Sequence, residues 1–252
     1  MSQNSNQYFA NSSKRLPIVF CLDVSPSMGW KIGGNSSAIS LLNAAVENFL
    51  GDLKADPNAR ASAEVAFVTF SSKIKTDTPF EPISSVKTPR FRPVWRGGTN
   101  LAEAVLRAIE KIEDRRKELE SADIPYYAPF LVIVTDGDPD DTADQLMQMQ
   151  AVSAVKRYCD SSIGATEIIV PFVIGVGDHI SPETLNEYAA GFTKGYFPIK
   201  GTAESVKAKF NKAFNLIGNS TKKSIHLNGK AEDIITIIKV DMHDLYNDLV
   251  GK

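Results

Sequence analysis

The chain has 252 residues, of which 43% are hydrophobic and 23% are charged. These ordinary values predict a globular core that needs neither a metal nor a disulfide to fold, so a bound metal would serve function. Lys and Arg total 28 against 30 Asp and Glu. That balance excludes a dedicated nucleic-acid binder and gives no reason to expect attachment to an anionic membrane surface.

Cysteine usage and hydropathy indicate a cytoplasmic protein. The chain has two cysteines, Cys21 and Cys159, which suits a reducing compartment. Cys21 lies inside the apolar run IVFCLDV and is expected to be a buried thiol. The polar N-terminal residues lack the apolar region of a signal peptide, and no run is long enough to span a bilayer.

Strand-like and helix-like segments alternate along the chain, which predicts the α/β class with a mostly parallel sheet covered on both faces. The predicted strands are LPIVFCLDV, AEVAFVTFSS, the more polar and edge-like IKTDTPFEPI, FLVIV, EIIVPFVIGVGD and GYFPI. The predicted helices span residues 36–53, 100–119, 142–159, 181–190 and 202–218.

The domain organisation is expected to be one domain with two extensions. Residues 1–15 are rich in Asn, Ser and Gln and are expected to be flexible. Residues 16–218 carry the alternating pattern, and residues 219–252 form a C-terminal extension packed on or appended to the domain. The segment DIITIIKVDMHDLYNDLV suits an amphipathic helix, but its Ile-rich start suits a strand equally well.

Three loops at predicted strand–helix junctions carry oxygen-bearing side chains. Asp23, Ser25 and Ser27 follow the first strand, Thr99 follows two glycines at a helix start, and Asp136 follows the FLVIV strand. Ligands of open parallel sheets bind beyond the carboxyl ends of the strands, so these loops are expected to converge. Two carboxylates and three hydroxyls form a hard-oxygen set that suits Mg²⁺, with Mn²⁺ or Ca²⁺ as alternatives.

The combination of DxSxS, a distant GGTN turn and a later TDG resembles the metal-ion-dependent adhesion site of von Willebrand factor A domains. The resemblance covers roughly residues 17–218 and implies a Rossmann-like, six-stranded sheet with one antiparallel edge strand. The segments LDVSPSM, GGTNLAEAV and LVIVTDGDPDD are most similar to those of stand-alone bacterial A-domain proteins associated with tellurite-resistance operons. Pro26 departs from the Gly most often found in that loop.

The resemblance also implies a role for each residue in binding the metal. Ser25 and Ser27 would bind the metal directly, Thr99 directly or through water, and Asp23 and Asp136 mainly through water and hydrogen bonds to the serines. Neutral hydroxyl ligands would leave much of the charge of the cation unneutralised, so the cation would attract a Glu or Asp from a protein partner. The family thereby implies a non-enzymatic adaptor in a bacterial stress-response or defence assembly of several proteins.

Each motif also has a plainer interpretation. Ser25 and Ser27 suit turn hydrogen bonding, Asp136 suits capping of the next helix, and Thr99 or Asn100 suits capping of its own helix. The coincidence of three elements in the right order favours the metal site.

Other features point less clearly to function. The three histidines are scattered. The acidic run Asp136, Asp138, Asp140 and Asp141 suggests either a second cation or, for its last three residues, a solvated loop, which is favoured. The cluster of Arg90, Arg92, Trp95 and Arg96 suggests either a border of the metal face that attracts an acidic partner or a solvated loop whose aromatic residue is fixed to the core. Trp30 is a second candidate for the rim.

Two alternative functions remain open from the sequence. A metal-dependent, phosphatase-like hydrolase would use Asp23, but such enzymes need a second carboxylate two residues later, where this chain has Ser25. A purely structural A domain would leave the site without a contact role.

Overall fold

The computed structural model describes residues 14–32, 36–138, 145–159, 168–189, 192, 196–227 and 231–251. The strands are β1 (Leu16–Asp23), β2 (Ala63–Phe70), β3 (Ile74–Asp77), β4 (Glu81–Pro82), β5 (Phe130–Gly137), β6 (Val170–His179) and β7 (Tyr196–Ile199). The helices are α1 (Ala38–Ala55), α2 (Pro57–Ser62), α3 (Leu101–Ser121), α4 (Gln145–Cys159), α5 (Pro182–Tyr188), α6 (Ala203–His226) and α7 (Ala231–Val250).

These strands form one sheet in the order β3-β2-β1-β5-β6-β7, and β4 also pairs with β2. Neighbouring strands in the series β2, β1, β5, β6 and β7 are parallel, while β3 and β4 are antiparallel to β2. The predicted α/β class and the mostly parallel sheet with an antiparallel edge are therefore confirmed.

The central strands are apolar because helices cover both faces of the sheet. All eight residues of β1 and of β2 are buried, as are the first seven of β5. The helices pack in two groups, α1 with α2 and α6, and α3 with α4. The Phe20 ring packs against Phe49 of α1 and Phe214 of α6. Cys21 and Cys159 are both buried free thiols.

The single strand predicted over residues 74–83 is wrong in one respect, because the structure divides it into β3 and β4. Pro79 lies between the two short strands. Proline has no backbone N–H to donate to a neighbouring strand, so pairing with β2 is interrupted there. Both pieces still pair with β2, at Val68 and at Glu64 respectively.

The C-terminal segment is helical, which resolves the alternative left open by its sequence. α6 continues past residue 218 to His226, and α7 packs against α6 and β7. The Tyr196 and Tyr246 hydroxyls lie 3.2 Å apart, and Lys223 forms a 2.6 Å ion pair with Asp241. Most of the N-terminal segment predicted to be flexible, residues 1–13, lies outside the described residues.

Candidate metal site

The loop after β1 presents one carboxylate and two hydroxyls. Asp23 ends the strand fully buried, and its Oδ1 accepts a 2.7 Å hydrogen bond from the Ser25 backbone N–H. A 3₁₀ turn over Pro26–Gly29 then brings the Ser27 Oγ within 2.9 Å of the Ser25 Oγ. Ser25 precedes this turn, and its side chain makes no capping hydrogen bond to it; its hydroxyl contacts the Ser27 hydroxyl instead.

The end of β5 supplies the second carboxylate to the same place. β1 and β5 are neighbours in the sheet, so their carboxyl ends lie side by side. Ser27 donates a 2.8 Å hydrogen bond to Asp136 Oδ1, and Thr135 donates a 2.8 Å hydrogen bond to Asp23 Oδ2. Four of the five predicted site residues thus belong to one hydrogen-bonded set.

Thr99 reaches this set through the turn that precedes α3. Its side chain is buried, and a Cβ placed on Gly137 would lie 3.7 Å from the Thr99 Oγ1, so Thr99 borders the residue after Asp136. Asn100, rather than Thr99, caps α3 by accepting from the Glu103 backbone N–H at 3.3 Å. The capping interpretation therefore applies to Asn100 and leaves Thr99 at the site.

The Gly97–Gly98 turn is held by Ser71, a fully buried residue directly after β2. The Ser71 Oγ donates to the Gly98 carbonyl at 3.1 Å, and the Ser71 carbonyl accepts from the Asn100 N–H at 2.7 Å. Gly97 has φ 139°, and a Cβ there would overlap the Ser71 Oγ. Only glycine fits this position, and the turn it permits positions Thr99.

The two carboxyl groups are destabilised as anions by their surroundings. Burial raises the pKa of Asp23, although hydrogen bonds from Ser25 and Thr135 oppose the shift. Burial and the neighbouring Asp23 charge raise the pKa of Asp136 to about 6, opposed by its hydrogen bond from Ser27. A cation at this place would offset both the burial cost and the mutual repulsion.

The donor set fits a hard divalent cation. Asp23, Ser25, Ser27, Thr99 and Asp136 offer only oxygen atoms at one edge of the sheet. Within the described part of the chain, no group of three or more His, Cys, Asp and Glu side chains is arranged to hold a metal. A cation at this site would therefore depend on hydroxyl ligands in addition to the two carboxylates.

The two residues that the sequence offers for the rim of the site, Trp30 and Trp95, are both exposed. Trp30, just after the first loop, is 60% exposed, and its ring meets the His179 ring edge-on at 6.2 Å between centroids. Trp95 is 98% exposed, so the expectation that the aromatic residue of the arginine cluster is fixed to the core is wrong. Phe91, earlier in the same segment, is buried instead.

The remaining polar residues that the sequence singled out have structural contacts or lie at the surface. Asp138 is exposed and accepts a 2.9 Å hydrogen bond from the Ser181 backbone N–H. His226 contacts the Asp56 carboxylate at 3.1 Å, and His243 is exposed. Asp140 and Asp141 lie outside the described residues.

Sequence reasoning missed two residues that organise the site, Thr135 and Ser71. Thr135 stands inside the TDG motif, but its role depends on β1 lying beside β5, since it donates to Asp23 across those strands. Ser71 is a polar residue at the end of an apolar strand. That position was the available signal, because strand ends in parallel sheets line ligand sites.

The mostly parallel α/β sheet, with Ser, Thr and Asp side chains gathered at the carboxyl ends of β1 and β5, agrees with the A-domain class of protein. The family model for the von Willebrand factor type A domain matches residues 18–212. The chain therefore belongs to the von Willebrand factor type A family. A comparison with the curated proteins finds no significant match.

Solved structures with similar folds include several bacterial pilus proteins. The pilus adhesin SpaC from Lactobacillus rhamnosus GG has a TM-score of 0.59 and 14% identity, over 85% of this chain and 32% of that one. The vWF domain of the type V pili tip protein Mfa5 from Porphyromonas gingivalis gives 0.53 and 11%, over 86% and 98%. The minor pilin PilB from Streptococcus sanguinis gives 0.51 and 14%, over 86% and 64%.

These similarities concern the fold. The chain spans less than two thirds of the length of the Streptococcus pilin and of the Lactobacillus adhesin. In the described part of the chain, no helix combines the length and the apolar character that crossing a membrane requires.

Proposed function

We propose that this protein is a non-enzymatic, divalent-metal-dependent interaction module. A Mg²⁺ ion, or Mn²⁺ or Ca²⁺, would be held by Ser25, Ser27 and Thr99, with Asp23 and Asp136 supporting it. The observation that carries the proposal is the hydrogen-bonded set running from Ser25 through Ser27 to Asp136, with Thr99 beside it. Bound there, the cation would supply a coordination position for a Glu or Asp of a protein partner.

The residues of the chain explain why a partner would complete the site. Asp23 is already engaged by the Ser25 N–H and the Thr135 hydroxyl, and Asp136 by the Ser27 hydroxyl. Because three of the four carboxylate oxygens already accept hydrogen bonds, we propose that the neutral serine and threonine hydroxyls supply most of the direct ligands. Neutral ligands neutralise less of the cation charge, so an anionic oxygen from outside is strongly attracted.

The setting of this interaction is also part of the proposal. Membership of the A family and the pilus proteins of similar fold support a role in protein contacts. The residues of the metal-site motifs support a stand-alone bacterial adaptor of a stress-response or defence complex, such as those linked to tellurite resistance. The two buried free thiols support a reducing, cytoplasmic location.

The hydrolase alternative has less support. The position two residues after Asp23 is Ser25, whose hydroxyl contacts Ser27, so the general acid of a phosphatase-like mechanism is missing there. Asp23-dependent turnover of a generic phosphate ester would revive this alternative.

The test is capture of partners from a lysate of the source cells by the immobilised chain, in Mg²⁺ and in EDTA, read by mass spectrometry. We expect proteins retained in Mg²⁺ and released by EDTA, and loss of the same proteins with Ser25→Ala. Ser153→Ala, an exposed serine of α4, is the matched control and should retain them. Equal capture in EDTA, or by Ser25→Ala, would contradict the proposal.

A further inference from the structure

A groove of about 700 Å³ lies between α1 and the segment Thr88–Pro93, outside the five metal-site residues. Its volume is within the roughly 300–1,000 Å³ typical of ligand sites. The groove ends beside the metal loop, because Pro93 lines it and the next residue, Val94, donates a 2.8 Å hydrogen bond to the Val24 carbonyl. Val24 stands between Asp23 and Ser25, so the end of the groove that Pro93 lines adjoins the metal loop.

One wall of the groove is fixed to α1 by a single asparagine. The Asn43 side chain donates to the Phe91 carbonyl at 2.9 Å and accepts from the Phe91 N–H at 2.8 Å. The buried Phe91 ring packs on Phe67, with centroids 5.7 Å apart. With Phe91 directed into the core, its neighbours Arg90 and Arg92 are exposed at the groove.

The exposed arginines make this wall positively charged in a chain whose net charge is −2. Arg90, Arg92 and Arg96 form no ion pair with a carboxylate in the ranges that the structure describes. Glu47, on α1, also lines the groove. Guanidinium groups bind carboxylates with two parallel hydrogen bonds, so the strip Arg90–Arg96 suits an acidic ligand.

Both tryptophans of the chain are exposed, and Gly29, the residue before Trp30, lies against Pro93 of the strip. Trp95 lies within the strip and Trp30 follows the first metal loop, and their side chains are 98% and 60% exposed. Exposed tryptophans are enriched among the residues that dominate binding at protein interfaces. The charged strip thus comes with aromatic surface that a partner can cover.

We infer that the strip Arg90–Arg96 selects the partner: an extended protein segment carrying several Asp or Glu residues. One carboxylate reaches the metal site, its neighbours bind Arg90 and Arg92 along the groove, and an apolar side chain covers Trp95. The contact with the metal rests on the proposed function. The requirement for several acidic residues in the partner is new, and it follows from the positive charge of the strip.

The probe is a random peptide library displayed on phage, panned on the immobilised chain in Mg²⁺ and eluted with EDTA, so that metal-dependent binders are collected. We expect the eluted peptides to carry clusters of Asp and Glu rather than one acidic residue. A synthetic peptide from this pool should bind Arg90→Glu/Arg92→Glu on the order of tenfold more weakly, with a larger loss at low salt.

The matched control is Arg60→Glu/Lys117→Glu, which changes the net charge equally. Both of these residues are exposed, one on α2 before β2 and the other in the last turns of α3. They lie toward the opposite edge of the sheet, so the control should differ from the unmodified chain by less than about twofold. Peptide binding should also change the tryptophan fluorescence, and Trp95→Phe should remove most of that change.

The possible failures are distinguishable. Metal-dependent peptides with a single acidic residue that bind Arg90→Glu/Arg92→Glu unchanged would overturn the inference and leave the proposed function standing. An absence of EDTA-eluted peptides would overturn both. If the double variant instead lost binding of a labelled single-stranded oligonucleotide and kept the acidic peptides, the strip would be a nucleic-acid surface and the inference would be wrong.

Discussion

The Ser27 hydroxyl donates a 2.8 Å hydrogen bond to the Asp136 carboxylate, 109 residues later in the chain. This bond joins the loop after β1 to the end of β5. In a second bond between the same two ends, the donor is Thr135 of β5 and the acceptor is Asp23 of β1. Two side-chain hydrogen bonds therefore couple the loop after β1 to the end of β5.

Replacing both serines should remove the stabilisation by metal while preserving the fold. A ligand that binds only the folded state adds about 2.7 kcal/mol at 100 times its Kd. We expect Mg²⁺ to raise the Tm of the unmodified protein and to leave the Tm of Ser25→Ala/Ser27→Ala unchanged, measured by differential scanning calorimetry. Ser153→Ala should respond to Mg²⁺ as the unmodified protein does, and a persistent response in the double variant would contradict the ligand assignment.

Neutralising Asp136 should stabilise the metal-free protein, because Asp136 and Asp23 are buried carboxyl groups that repel each other. In EDTA at neutral pH we expect Asp136→Asn to raise the free energy of unfolding by on the order of 1 kcal/mol. In Mg²⁺ the order should reverse. Asp138→Asn removes an exposed charge two residues away and should change little. Urea denaturation measures all three, and a less stable Asp136→Asn in EDTA would refute the electrostatic account.

A methyl group at Gly97 should displace the turn that carries Thr99. Gly97 has φ 139° and a Cβ there would overlap Ser71, so we expect Gly97→Ala to cost roughly 1–3 kcal/mol and to weaken Mg²⁺ binding. Gly51, in the middle of α1, has open space around its Cα. Gly51→Ala should therefore stabilise the protein by about 0.5–1 kcal/mol through helix propensity and leave Mg²⁺ binding unchanged. Equal effects of the two substitutions would show that the Gly97 turn has no special role.

Asp56 should contribute to the loss of stability in acid. Hydrogen bonds from the Ala59 N–H and then from His226 lower the pKa of Asp56, although partial burial opposes them. A lowered folded-state pKa stabilises the protein above the unfolded value of about 3.9, and this contribution is lost as the pH falls through the folded-state pKa. Asp56→Asn keeps a capping side chain but no charge, so its stability should fall less steeply below about pH 4. The exposed Asp244→Asn is the control, and an unchanged acid slope in Asp56→Asn would contradict the prediction.

The parts of the fold that were predictable follow from burial. β1 and β5 are covered on both faces, so the first seven residues of β1 and the first five of β5 are apolar and the runs stand out in the sequence. Their ends are equally visible, because polar residues end the runs, Asp23 in β1 and Thr135 followed by Asp136 in β5. Parallel pairing then places those ends together, which is why the proximity of the two loops was predictable without coordinates.

Other features depend on contacts between distant segments and were not predictable. The start of α7 is rich in β-branched Ile, which suits either a strand or a helix, and packing on α6 and β7 decides for the helix. The role of Ser71 requires β2 to end beside the Gly97–Gly98 turn. Phe91 is buried against Phe67 while Trp95 is exposed, and the sequence does not distinguish which of the two rings is buried.

The most direct measurement of the central claim is anomalous scattering from crystals of the protein grown with Mn²⁺, a substitute for Mg²⁺ that is visible at its absorption edge. We predict a peak in contact with the hydroxyls of Ser25 and Ser27, and no peak there in crystals of Ser25→Ala/Ser27→Ala. Well-ordered Mn²⁺ crystals without a peak at these hydroxyls, or a peak that persists in the double variant, would contradict the account.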